Sequence, residues 1–386
     1  MTMMRSQTLS AQRKTQTLGL SVAVGLTLIV APLQARVSSP QEISSRPNAH
    51  CQNPRWSPNG KRLAIDVYNP RAETHEVFIV KLGSAGAPMG EEKVRIAGLS
   101  RSRLSGGNAP PVLEFAWAPD MDTPYVFSTQ GSRRNFDRYA DGSFLTKNLG
   151  NDGQPAWAPS GRYLVFTSQQ QSSGDLWYID FEAGDGEPKP LFETRAQTEY
   201  LPRFAPREDK LLFIRSQGEQ RGQDIVLIEN LQRPRSEKLL TNWSGDEIRP
   251  SWSPDGKWIA FYSNQESRNP KLFDLWVIDQ SGGNKRRLAK DVVVDNHQGP
   301  AWSRDSSTVI YVKRDFDRHN PILWVRKDGS ARGGLVSQTQ LNSDLSVYHS
   351  RDGGSKLAFR AIGLQSTRQK NWQRIYMVDF TMDDLR

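Results

Sequence analysis

The sequence predicts an all-β fold, a single β-propeller. Three observations predict it: one turn motif recurs seven times, its flanking strands are apolar on both faces, and the recurrences lie 40 to 61 residues apart. Seven four-stranded blades are expected, with six as the alternative, and an N-terminal strand closes the ring.

The clearest unit runs from Arg249 to Ser263, RPSWSPDGKWIAFYS. Ser253-Pro254-Asp255-Gly256 reads as a type I turn, because Pro presets φ at its second position and Asp and Gly suit the positions after it. One strand therefore ends at Trp252 and another begins at Lys257. Along it Trp258, Ala260 and Tyr262 fall on one face, and Ile259 and Phe261 on the other. A strand apolar on both faces is covered on both sides. DLWVID (274–279) repeats that signature, and the polar turn QSGGNK leads to a fourth segment, RRLAK. Four such strands make a poor free-standing domain and a good layer in a stack.

In chain order the motif places Trp56, Trp117, Trp157, Phe204, Trp252, Trp302 and His349 in one column, at intervals of 61, 40, 47, 48, 50 and 47 residues. Third-strand echoes follow most of them: EVFIVK, DLWYID, DIVLIE, DLWVID, ILWVRK and RIYMVD. The long first interval is filled by GSAGAPMGEEK and LSRSRLSGGNAPP, which read as inserted loops. After IYMVDF only TMDDLR remains, too short and acidic for a fourth strand. A ring with an open end would expose an apolar face. The donor of the missing strand is expected in RVSSPQEIS, directly after the leader.

That leader occupies residues 1–35. It has a basic start (Arg5, Arg13, Lys14), an apolar stretch from Leu18 to Leu33 and small residues up to Ala35, the layout of a cleaved secretory signal. An uncleaved signal acting as an anchor is the alternative. The expected organisation is signal 1–35, N-terminal segment 36–50 and propeller 51–386. The formal charge is +9, part of it in the leader, and mean hydropathy is −0.64. Eleven Trp, fifteen Phe and ten Tyr argue for a packed core rather than disorder. Cys51 is the only cysteine, so no internal disulfide forms. These features together point to a bacterial periplasm.

The P-x-W-S-P-D-G, I-A-F and D-L-W-V-I-D unit resembles the TolB-type propeller repeat, a WD-repeat-like family of the bacterial envelope. The resemblance runs from Pro54 to Asp379 and implies the fold strongly and the function weakly. TolB proper sets a small α/β domain before a six-bladed propeller and works in the Tol–Pal system. With only residues 36–50 between leader and first motif, that domain is expected to be missing. The same repeat heads prolyl oligopeptidase-type enzymes, which need a G-x-S-x-G nucleophile; none occurs here.

Candidate chemistry gathers in one column. Five places before the Trp position the seven units read Cys51, Val112, Asp152, Glu199, Glu247, His297 and Asp344. Three readings stay open. The acidic residues solvate or cap turns; or Asp152, Glu199, Glu247, His297 and Asp344 rim a funnel that receives a basic or amino-terminal group; or they hold a divalent cation. No other cofactor is expected. The Trp column reads as inter-blade core, with Trp243 and Trp372 outside it. His349 takes a core slot and is expected to be buried. Neighbours on a strand point apart, so His50 and Cys51 make no catalytic pair. The basic clusters at 100–103, 131–138 and 282–287 are expected in solvated loops.

The function expected from these readings is a periplasmic protein-binding scaffold serving envelope maintenance or transport. Its partner is an envelope or periplasmic protein, not nucleic acid, and any membrane association is peripheral. The alternative is a metal-dependent lyase or hydrolase acting on oligosaccharides through the funnel. The sequence leans away from an enzyme without deciding the matter.

Overall fold

The computed structural model describes residues 37–386 except 73, 84–85, 95–114, 120–123, 131–132, 139–151, 169–173, 185, 193–196, 217, 219–221, 234–235, 295–297, 316 and 364–371. Ala35–Arg386 forms one compact unit. The chain is an all-β propeller. Among the described residues it has six four-stranded blades and one three-stranded sheet, the Trp117 unit. The smaller of the two expected numbers is thus the number of complete four-stranded blades.

The Trp252 blade shows the plan. Glu247–Trp252, Trp258–Ser263, Phe273–Asp279 and Arg286–Val292 form an antiparallel meander. The turn forms as the sequence requires. Gly256 N–H donates to the Ser253 carbonyl at 2.9 Å, the Asp255 carboxylate accepts from Lys257 N–H, and Ser253 Oγ accepts from Trp258 N–H. Gly60 shows why glycine suits this position: its φ is +69°, and a Cβ there would lie 2.2 Å from the Tyr348 ring of the next blade.

The core lies between blades rather than within them. One cluster joins Leu212, Ile214 and Leu227 of the Phe204 blade to Trp252, Ile259 and Phe261 of the next. Others join the Trp252 blade to the Trp302 blade and the Trp302 blade to the C-terminal blade. Strands apolar on both faces follow from this, since each blade is covered from two sides.

The tryptophans also hydrogen-bond across the blades. Indole Nε1–H of Trp117 donates to the Arg55 carbonyl (3.1 Å), Trp252 to Arg203 (3.2 Å), Trp302 to Ser251 (3.3 Å) and Trp56 to Ser346 (3.1 Å). Arg55, Arg203 and Ser251 each immediately precede the aromatic slot of the neighbouring blade. By the same rule Ser346 precedes that slot in the C-terminal blade, so its occupant is Val347. Strand register agrees: Val347 faces Leu357, as Trp252 faces Ile259. His349 is therefore not in the Trp slot. The C-terminal hairpin pairs onward to His349–Ser355, and this extra length displaced the alignment.

Ring closure takes the expected form. Gln41–Ser44 is the outer strand of the C-terminal blade, antiparallel to Arg374–Phe380. Ser38 N–H reaches the Asp379 carbonyl, and Arg374 pairs with Glu42 at 2.6 Å. TMDDLR forms a 3₁₀ turn over Met382–Leu385 and no strand. The 131–138 cluster departs from expectation: Arg133–Arg138 is a strand. Part of 282–287 does too, since a strand starts at Arg286.

Trp302→Phe keeps an aromatic ring but orphans the Ser251 carbonyl, so it should cost about 1 kcal/mol. Trp302→Ala adds a cavity and should cost about 3–5 kcal/mol. Urea unfolding of both variants checks the ratio.

Candidate functional site

The inner strands share a local irregularity that shapes the region around the axis. Register slips between Gln52 and Arg55, Tyr200 and Arg203, Ile248 and Ser251, and Ser343 and Ser346. Each slip holds a residue in the left-handed region: Asn53 (φ 51°), Leu201 (56°), Arg249 (55°) and Asp344 (53°), with Gln154 (54°) in the Trp157 blade. These residues touch from blade to blade. Leu201 N–H donates to Gln154 Oε1 at 2.6 Å, and Asn53 N–H to Asp344 Oδ2 at 3.3 Å. Gly299 occupies the same place in the Trp302 blade, where a Cβ would meet the Arg249 carbonyl at 2.3 Å.

This belt corrects the acidic column. Ser343 faces Arg360 as Tyr200 faces Ile214, so the partner of Glu199 in the C-terminal blade is Asn342. Asp344 belongs to the left-handed belt, displaced by the same longer hairpin. Glu199 and Glu247 do hold equivalent places near the start of an inner strand, and both are fully buried. Neither stands on an open rim. Glu199 Oε1 takes Arg215 Nε at 3.0 Å, and Arg215 reaches on to Glu237 at 2.7 and 2.8 Å. Asp152 opens the strand Asp152–Trp157, but its side chain lies outside the described residues, as does His297. Cys51, in the same column, is buried, and burial pushes its thiol up to about 11. His50 packs edge-on against Trp372 at 4.8 Å.

The charges nearest the seam between the Trp56 and C-terminal blades form a continuous network. Asp344 Oδ2 binds Arg360 Nε at 3.0 Å, Arg360 Nη1 reaches Gln52 Oε1 at 3.2 Å, and Gln52 Nε2 donates to Asp66 Oδ2 at 2.8 Å. Asp66, fully buried, meets His75 Nδ1 at 2.9 Å, and Tyr68 stacks on that imidazole. Arg55 reaches past the C-terminal blade to Gln298 Oε1 at 2.9 Å. Two atoms in this network have no partner. Asn53 Nδ2 and Asp344 Oδ1 are buried, a donor and an acceptor on residues already joined through Asn53 N–H. Column reasoning missed Asp66, Arg215 and Arg360, although each interrupts an apolar run (LAIDV, LLFIRS, LAFRA).

A second concavity lies at the turn end of the same seam. Asn59, Gly60, Lys61, Met89, Tyr348 and Lys356 help to line a groove of about 670 Å³, and Met89 is 76% exposed. Among the described residues no group of three or more His, Cys, Asp or Glu could hold a metal ion, and no helix is long and apolar enough to cross a membrane.

Known proteins bear on this geometry. The TolB beta propeller domain matches residues 116–304. An uncharacterized protein of Agrobacterium fabrum is 26% identical over 181 residues, 46% of this chain and 55% of that one. The Tol-Pal system protein TolB of Zymomonas mobilis is 38% identical over 66 residues, 17% of this chain and 13% of its own. The chain thus spans about half the length of the first of these relatives and far less of the second. In three dimensions an oligogalacturonate lyase in complex with manganese superposes with a TM-score of 0.60 at 11% identity, over 91% of this chain and 99% of that one. That likeness shows the fold alone. The chain is a β-propeller that resembles the TolB type over residues 116–304.

Arg360→Met leaves Asp344 buried without its cation and should cost about 3–5 kcal/mol in chemical unfolding. Burial pushes His349 down to about 4, so the folded chain keeps it neutral where the unfolded chain takes up a proton. Stability should therefore fall as pH drops from about 6.5 towards about 4, and His349→Gln should flatten that part of a thermal-melt profile.

Proposed function

We propose that this TolB-like propeller is a protein-binding scaffold of the bacterial periplasm, receiving a partner segment in the groove at the turn end of the seam. One observation carries the reading: Met89 stands 76% exposed in a groove of about 670 Å³ lined also by Lys61, Tyr348 and Lys356. An apolar side chain held in water beside a concavity gains when a partner covers it. The Zymomonas mobilis relative, named for the Tol-Pal system, supports an envelope setting, and the leader read in residues 1–35 supports export. Glu199 and Glu247 serve here as internal supports of the Phe204 and Trp252 blades.

A second reading, a metal-dependent lyase or hydrolase acting on oligosaccharides, draws on the His75–Asp66 pair. The buried carboxylate fixes the imidazole through Nδ1 and leaves Nε2 as the nitrogen that could take a proton.

Affinity capture from bacterial envelope extract, with residues 36–386 as bait, separates the two. Asn53→Gly keeps the left-handed backbone and removes the Nδ2 donor, while Met89→Lys marks the groove at the turn end. A partner held by the parent and Asn53→Gly but lost by Met89→Lys is the expected result. Retention by Met89→Lys moves the interface away from the groove. With no partner captured, thermal shift with Mn²⁺ in the parent and in His75→Ala tests the enzyme.

A further inference from the structure

The seam where the chain's two ends meet is tied, at the end away from the turn, by one imidazole. His50 opens the inner strand of the Trp56 blade, His50–Trp56, and Gln373 directly precedes Arg374–Phe380 of the C-terminal blade. Two hydrogen bonds run between them in opposite senses. Cys51 N–H donates to the Gln373 carbonyl at 2.9 Å, and Gln373 N–H donates to His50 Nδ1 at 3.3 Å. The Trp372 ring packs against the imidazole, centroids 4.8 Å apart and planes at 63°, and so holds its orientation.

An imidazole nitrogen that accepts a hydrogen bond carries no proton. The neutral His50 ring therefore keeps its hydrogen on Nε2. A second proton could go only to Nδ1, where a donor would then face the Gln373 N–H, itself only a donor. Among the described residues no charge compensates for that clash. Tyr68 lies opposite His50 on the second strand, and His75 of the third strand stacks on Tyr68. Of the carboxylates on the packed elements, Asp66 is held by His75 and Gln52, Asp344 by Arg360, and Glu42 of the closing strand by Arg374. Cys51, next on the same strand, is a buried thiol. Burial first, and the Arg360 guanidinium second, hold the imidazole below its ordinary range.

We propose that His50 is an acid-sensitive latch on this seam: neutral, it ties the first inner strand to the C-terminal blade, and protonated, it releases that tie. The sign follows from proton binding. The closed seam leaves Nδ1 bare, while the opened seam takes up a proton with the ordinary histidine value of about 6.5. The latch is therefore fully closed above about pH 6.5 and weakens as pH falls below it. Full coupling makes the opening constant up to about thirtyfold larger at about pH 5.

The test is hydrogen exchange of the parent, His50→Asn and His349→Gln at about pH 7 and about pH 5, corrected for the intrinsic pH dependence of exchange. In the parent, exchange at the Cys51 and Gln373 amides should accelerate in acid by up to about thirtyfold. His50→Asn offers a carboxamide oxygen as an acceptor that does not titrate, and should abolish the acceleration. His349→Gln removes the other imidazole that burial holds neutral, and should retain it. Nitrogen NMR of the parent's histidines is a second readout that does not depend on a variant folding. His50 should be the Nε2–H tautomer at neutral pH. A His50 with its proton on Nδ1, or an acceleration that is absent in the parent or persists in His50→Asn, overturns the proposal.

Discussion

The ring takes its register from a hydrogen bond that the indole donates at Trp56, Trp117, Trp252 and Trp302. A propeller blade is a small sheet with two apolar faces, and burying them requires neighbours on both sides. Apolar contact alone would let blades slide, because it is non-directional. The indole adds direction: its body fills the inter-blade core while Nε1–H seeks the carbonyl just before the next aromatic slot. That bond sets these inner strands against their neighbours. Phe204 fills the same slot without a donor and packs on the neighbouring cluster of Leu211, Phe213 and Val226. The bond is therefore a register device rather than a requirement in every blade.

Much of this was legible in the sequence, because a period is a statement about geometry. Trp at a fixed distance before a Pro-Asp-Gly turn declared the slot, and an incomplete last unit declared the closing strand. The site was only half legible, for two physical reasons. A column in an alignment is a column in space only if every hairpin has the same length. The C-terminal hairpin runs further, so His349 and Asp344 were each read into the wrong row; Val347 and Asn342 stand there instead. Burial is the second reason. An acidic residue opening a strand looks the same in sequence at an open mouth or sealed beneath a neighbouring blade. The readable signal lay on the second strand, where Asp66, Arg215 and Arg360 interrupt apolar runs.

The sealed charges have a consequence for the ring's rigidity. A buried ion pair contributes little net stability, yet breaking one costs far more than the pair supplies. Glu199 with Arg215 and Asp344 with Arg360 thus penalise displaced arrangements more than they favour the native one. The left-handed belt acts in the same sense. Leu201 and Arg249 adopt φ values that cost side-chain-bearing residues roughly 1–2 kcal/mol, and surrounding contacts must hold them there. Charge and strain near the axis both make the inner strands intolerant of sliding.

What that intolerance leaves available is unevenly distributed. The chain's two ends meet where Gln41–Ser44 completes the C-terminal blade, beside the blade that begins at His50. At this seam the belt joins Asn53 to Asp344 and leaves one donor and one acceptor over, and at its turn end the groove around Met89 opens. Between the Trp157 and Phe204 blades, by contrast, Gln154 Oε1 is taken by Leu201 N–H. The difference is chemical. A neutral amide there accepts from its neighbour and completes the contact. At the seam a carboxylate and an amide are both only partly used, and Arg360 holds that carboxylate in place. Closure therefore fixes two polar atoms in position without satisfying them, and both are sealed from solvent.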